Sequence, residues 1–155
     1  MTKKKRSTQE LRDASEHLDY EMLMLSSVAY ALDSGVAVLS PMNNALIESF
    51  VIHLRNLMEF LWPENPTNDM VVATDYFDDP DYWPKRLGPM PARLRSARIR
   101  AAKEIAHLSY DRIKLTKDKK AWHYVDLLND IWTALAKFTA LVDGSKICPE
   151  LLDAR

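Results

Sequence analysis

The sequence predicts an all-α protein, a four-helix bundle with a long proline-rich connection between helices two and three. Three observations carry this prediction. The chain of 155 residues has only 3 glycines, too few for a turn-rich β architecture. Apolar residues recur at alternating spacings of three and four, the pattern of helices with one buried stripe. Glycine and proline fall at the edges of those stripes, where they punctuate helices. A chain of this length forms one domain with its own hydrophobic core. Residues 1–155 therefore read as a single helical-bundle domain, with a flexible basic N-terminus at 1–7.

The first helix is expected over 8–34, with Leu11, Ala14, Leu18, Met22, Leu25, Ala29 and Leu32 as its stripe and Gly35 as its stop. Ser40-Pro41 reads as an N-cap followed by proline at the first helical position. The second helix then buries Ile47, Phe50, Val51, Leu54, Leu57, Met58 and Leu61 and ends at Pro63. Residues 63–90 hold five of the 8 prolines and no sustained period, so they form the connection, with one short ordered piece at 69–76. A third helix is expected from Pro91 to about Arg112, with Leu94, Ala101, Ile105 and Leu108 on one side. The last long helix, about Asp118 to Val142, is expected to bury Trp122, Val125, Leu128, Ile131 or Trp132, Leu135 and Phe138. Asp143-Gly144 ends it, and Cys148 with Leu151-Leu152 packs as a final turn.

Composition narrows the function classes. A single cysteine, Cys148, permits no internal disulfide and no cysteine-rich metal site. The lysine-rich start has no apolar core behind it, and no apolar run approaches a membrane span. A cytoplasmic protein without a membrane role is expected. The net charge of -1 hides a strong asymmetry. Residues 63–84 contain Glu64, Asp69, Asp75, Asp78, Asp79 and Asp81 and no base, whereas 91–120 contain ten Lys or Arg against three acids. Such a basic stretch suits phosphate, and equally it suits the acidic loop of its own molecule. No glycine-rich phosphate loop exists, which excludes a nucleotide-hydrolysing P-loop.

The stretch RIRAAKEIAHLSYDR, residues 98–112, carries the chemistry. At 100° per residue Arg100, Lys103, Glu104, His107 and Asp111 share the face opposite Leu94, Ile105 and Leu108. Arg100 and His107 stand two turns apart, about 10 Å along an α-helix, and can converge on one ligand. A guanidinium grips phosphate with oriented hydrogen bonds, and an imidazole moves a proton near neutral pH. Without such a ligand, Arg100 and Glu104 would form an i,i+4 pair worth a few tenths of a kcal/mol.

An all-α bundle with Arg, six intervening residues and His on its third helix resembles the HEPN group of bacterial ribonucleases, whose signature is Arg, four to six residues, then His. The resemblance spans most of the chain as architecture but only two residues as motif. It implies a homodimer in which the motif helices of two subunits meet to form a metal-independent endoribonuclease, in a toxin or phage-defence setting, with RNA as substrate and an antitoxin or other protein as partner. It also implies that Arg100 holds the scissile phosphate while His107 transfers protons, with Glu104 or Lys103 assisting and no cofactor required. Ala101 departs from the pattern, since the family usually has a polar residue directly after the Arg.

A second candidate site lies in ESFVIHLRNLMEFL of helix two, where Glu48, His53, Arg55 and Asn56 are the polar groups placed to face another helix or a ligand. Together with AHLSYDR this stretch is similar to a pattern in small bacterial proteins of no established activity. His53 at the core edge suits a hydrogen-bonded structural histidine, and Arg55 an ion-pair partner. Arg112 falls on the core side of its helix and so needs a carboxylate, for which Asp75 in the connection is the expected partner. Ile52 points outward and is a candidate dimer contact.

Two other function classes compete. Glu104-Ile-Ala-His107 is a Glu-x-x-His element of the kind used in di-iron bundles, but those sites need a second such element and two further Glu, and the sequence has one. The stronger rival is a non-enzymatic dimeric helical module that binds a protein or RNA partner. Trp62, Tyr76, Phe77, Tyr82 and Trp83 around the connection could anchor such a partner, or pin the connection to the bundle.

Overall fold

The computed structural model describes residues 4–35, 40–106, 110, 113 and 121–153. Among the described residues the regular structure is helical, with no strand. Helix α1 runs Thr8–Asp33 and starts with a capping box: Ser7 Oγ accepts from the Glu10 amide at 3.1 Å, and the Glu10 carboxylate accepts from the Ser7 amide at 2.8 Å. It ends through Ser34 and Gly35, whose φ of 69° is the left-handed conformation that glycine adopts without strain. Its buried stripe is Leu11, Ser15, Leu18, Met22, Leu25, Val28 and Ala29. Ser15 is the polar exception, and its hydroxyl is satisfied twice, donating to Arg12 O and accepting from the Cys148 amide.

Helix α2, Met42–Leu61, lies along α1 and buries Phe50, Val51, Leu54, Leu57, Met58 and Leu61 as expected, with His53 and Phe60 besides. Its start differs from the expectation. Pro41 is itself the cap residue, no side chain caps the helix, and the Ser40 hydroxyl faces Asn44 Nδ2 instead.

The connection is more ordered than its composition predicts. It contains a 3-10 turn at Ala73–Tyr76 and a short helix α3, Tyr82–Leu87, that apolar periodicity could not reveal in six residues. Its aromatic side chains are internal pins. Tyr76, Phe77 and Trp83 meet the ring of Phe138 edge-on at 5.3, 6.0 and 5.6 Å, and Phe60 of α2 does so at 5.1 Å. Each buried polar tip finds a carbonyl: Tyr76 Oη donates to Leu11 O, Trp83 Nε1 to Leu61 O and Trp62 Nε1 to Gly88 O.

Helix α4, Ala92–Arg100, continues as a π-helical turn at Ala101–Ala106. Helix α5, Tyr124–Leu141, begins later than the apolar pattern predicts, so that Trp122 precedes it and is nevertheless buried. Ile131 faces the core, whereas Trp132 and Val125 are partly exposed. After a 3-10 turn at Gly144–Lys146, helix α6, Pro149–Asp153, seats Cys148 and Leu151 against α1. Three acids of the connection pair within the molecule: Asp78 with Lys5 and Lys146, Asp81 with Lys85 and Glu64 with Arg98.

Burial first, and the Asp75 carboxylate second, push the Tyr76 phenol far above its ordinary value. Unfolded tyrosine ionises near ~10, so above that pH the unfolded chain gives up a proton that the folded chain keeps, and stability falls as pH rises. Denaturant unfolding between about pH 10 and 12 is therefore expected to show Tyr76→Phe with a shallower decline than the parent. At neutral pH that variant starts about 1 kcal/mol lower for the lost bond to Leu11 O. Equal slopes would show that Tyr76 is not the source.

Candidate functional site around Arg100

Arg100 closes the seam between α4 and the residues entering α5. Its Nε and Nη2 donate to the two oxygens of Glu104, both at 3.0 Å, and Nη1 donates to Ala121 O at 3.0 Å. The guanidinium lies over the Trp122 ring, 4.1 Å from its centroid. Arg100 and Glu104 therefore form the i,i+4 pair expected of them, but not on a solvated face: their side chains are only 28 % and 14 % exposed. A desolvated, bidentate pair stacked on an indole holds its geometry far better than a surface ion pair.

This seam lines an open pocket of about 250 Å3 with Arg93, Ser96, Ala97, Arg100, Trp122, His123 and Leu127. Arg93 stands at its edge, paired with Asp130 through Nε at 3.0 Å and with Asp126 through Nη1 at 3.2 Å. Those carboxylates raise the Arg93 pKa further and keep it cationic. The pocket thus offers two guanidinium groups, a hydroxyl and an exposed imidazole within one concavity.

Directly after Arg100 the chain widens into the π-helical turn. Such turns are uncommon and often occur at functional sites. Within this turn, Ala101–Ala106, positions no longer advance by the 100° per residue of an α-helix. His107 itself lies outside the described residues, as do Asp111, Arg112 and the Lys117 to Lys120 run. Lys103 is exposed. Ala101, the departure from the family pattern, is buried against the core, where a polar side chain would be desolvated.

The second candidate group divides. His53 and Asn56 converge on one carboxylate of α1: His53 Nδ1 lies 2.7 Å and Asn56 Nδ2 3.1 Å from Glu21 Oε2. Tyr20 meets the imidazole edge-on at 5.9 Å. Arg55 turns away to pair with Glu59 at 2.7 Å, and Glu48 is exposed. Asp75, the expected partner of Arg112, accepts from the Val72 amide at 3.2 Å.

Sequence reasoning missed Glu21, His123 and Arg98. Glu21 owes its position to contacts between α1 and α2, and His123 to the approach of the segment entering α5 to α4, neither of which a local pattern encodes. Arg98 was read only as part of a basic run. Its Nη2 donates to Met58 O and Trp62 O at 3.1 and 3.0 Å, carbonyls at the end of α2, and its Nη1 meets Glu64 at 2.6 Å. A cation at the carbonyl end of a helix was the available signal. Among the described residues no group of three or more His, Cys, Asp or Glu is arranged to hold a metal ion, and no helix is long and apolar enough to cross a membrane. No protein-family model, curated protein or solved structure matches the chain.

Two arginines separate structural from superficial cations. Arg98→Ala is expected to cost about 2–3 kcal/mol in denaturant unfolding, since charge-assisted bonds to partly buried carbonyls disappear. Arg55→Ala should stay within about 0.5 kcal/mol, the range of exposed i,i+4 pairs. Equal losses would remove the distinction.

Proposed function

We propose that the protein is a metal-independent endoribonuclease of HEPN type with the Arg100 seam as its phosphate-binding element. The observation that carries this reading is the company Arg100 keeps: a pre-oriented guanidinium bordering an open pocket with Arg93, Ser96 and His123. In this reading the fold is a four-helix bundle of α1, α2, the α4 segment with its continuation, and α5, with residues 63–90 as the connection. Homodimerisation, an RNA substrate, a cytoplasmic setting and a toxin or phage-defence role belong to the same reading, through the resemblance of the Arg100 to His107 spacing.

The chemistry asked of the site is transesterification. The RNA 2′-hydroxyl attacks the adjacent phosphorus, its proton passes to an imidazole, and the bond to the 5′ oxygen breaks with protonation of that oxygen. A 2′,3′-cyclic phosphate and a 5′-hydroxyl result. Arg100 would hold a non-bridging oxygen and stabilise charge as it develops. His107 is the proposed proton carrier, and His123 is a second imidazole at the pocket. Phosphate would compete with Glu104 for the Arg100 fork.

A specific observation favours a second reading, a non-enzymatic helical module that binds a protein or RNA partner. Arg100 already serves Glu104 and Ala121 O, which suits a residue that joins two helices. One assay separates the readings: end-labelled mixed RNA incubated with the purified chain in EDTA, with the product termini analysed. Cyclic phosphate termini from the parent, and at least ~100-fold slower cleavage by Arg100→Ala and His107→Ala with helicity retained, are expected. Absence of cleavage by the parent, or parental rates in both variants, would overturn the ribonuclease reading.

A further inference from the structure

Helix α1 carries a second apolar face that its own fold leaves uncovered. Leu25 and its companions point into the core, but Tyr20, Leu23 and Tyr30 on the opposite side are 51 %, 61 % and 63 % exposed. Partly exposed side chains extend this stripe on both flanks. Ile52 of α2 lies beside His53, on whose ring Tyr20 packs, and Trp132 of α5 reaches α1 by donating from Nε1 to Ser26 Oγ at 3.2 Å. Single exposed apolar residues are ordinary, whereas a contiguous set centred on one helix marks an interaction site.

We infer that this face binds a second copy of the chain, with the two α1 helices antiparallel and crossing at Leu23. The sequence of α1 is complementary to itself in that register. A twofold axis through Leu23 sets Leu23 against Leu23, and it brings residues equally far on either side together. Tyr30, seven residues after Leu23, then meets Glu16, seven before it, and the phenol is a hydrogen-bond donor for that exposed carboxylate. Tyr20, three before, meets the turn of Ser26 and Ser27, three and four after, and Ser27 is a small exposed residue that leaves room for the ring. Both members of the Tyr20 and Ser27 pair lie on the α2 side of the stripe, as a twofold perpendicular to the helix axes requires. The five apolar side chains offer on the order of 400–500 Å2 per copy. With a polar rim this approaches the roughly 800 Å2 per partner typical of stable pairs.

Helices α2 and α5 both pack against α1 and against α4. The proposed face therefore lies across the molecule from Arg100. It leaves the Arg100 pocket open, is a separate contact from the meeting of motif helices in the ribonuclease reading, and does not depend on that reading.

The test is the mass of the purified full chain in solution, by sedimentation or light scattering, at concentrations up to about 100 µM. The parent is expected to form an assembly of an even number of copies, and Leu23→Glu to halve its mass while keeping the parental circular dichroism. Leu23→Cys, at the axis, is expected to form a covalent dimer with diamide as oxidant, whereas Val71→Cys in the connection, an exposed position on neither α1 nor α4, is not. A single-copy mass for the parent, an unchanged mass for folded Leu23→Glu, or equal cross-linking at both positions would overturn the proposal. Should Leu23→Glu fail to fold, the cross-linking comparison decides alone.

Discussion

The edge-on cluster of rings around Phe138 is the contact on which the other parts depend. One side chain of α5 receives Phe60 from α2 and Tyr76, Phe77 and Trp83 from the connection. Aromatic pairs of this kind add about 0.5–1.5 kcal/mol each beyond the area they bury, and they act together with burial of the rings against the entropy of ordering a long segment. The polar tips of Trp83, Trp62 and Tyr76 then select one arrangement by reaching particular carbonyls. Because the connection is fixed in this way, Gly88 and Met90 deliver the chain to α4 at a defined point, and Arg95 donates back to Met90 O.

From that start, three arginines on α4 do different work. Arg93 joins α5 through Asp126 and Asp130. Arg98 neutralises the carbonyl end of α2. Arg100 stacks on Trp122 and reaches Ala121 O. Arg93, Arg98 and Arg100 are thus each engaged by groups of the same molecule, Arg98 by the acidic connection among them. What distinguishes Arg100 is its position where the α-helix gives way to a π-helical turn and borders an open pocket. A pocket bordered by two guanidinium groups held in fixed positions is the physical basis for proposing a phosphate site there, and Arg100 must release Glu104 to receive the anion.

Much of the fold was legible in the sequence because it is written at short range. The α1 stripe, the stop at Gly35, the core face of α2 and the closing turn at Cys148 and Leu151 follow from helical periodicity and backbone preference. The boundaries that failed were decided by tertiary packing. Trp122 fits the apolar period of α5 but lies before its first turn, held under Arg100, and α3 is too short to show a period. The candidate site was half legible. The Arg100 and Glu104 pair follows from spacing, while its indole and the neighbouring His123 come from the segment entering α5. Glu21, the carboxylate shared by His53 and Asn56, lies 32 residues from His53 in sequence, and no local pattern announces it.

In the proposed function Arg100 exchanges its carboxylate for an RNA phosphate. A 2′-O-methyl RNA oligonucleotide binds without offering the attacking hydroxyl, so it isolates that step. Titrating it into labelled protein while observing the Arg100 Nε–H and Trp122 indole resonances tests the claim directly. Saturable shifts of both signals, with the Trp122 shift lost in Arg100→Lys, whose point charge lacks the planar fork, are the predicted result. Resonances that stay fixed while RNA binds elsewhere, or that never respond to RNA, would contradict it.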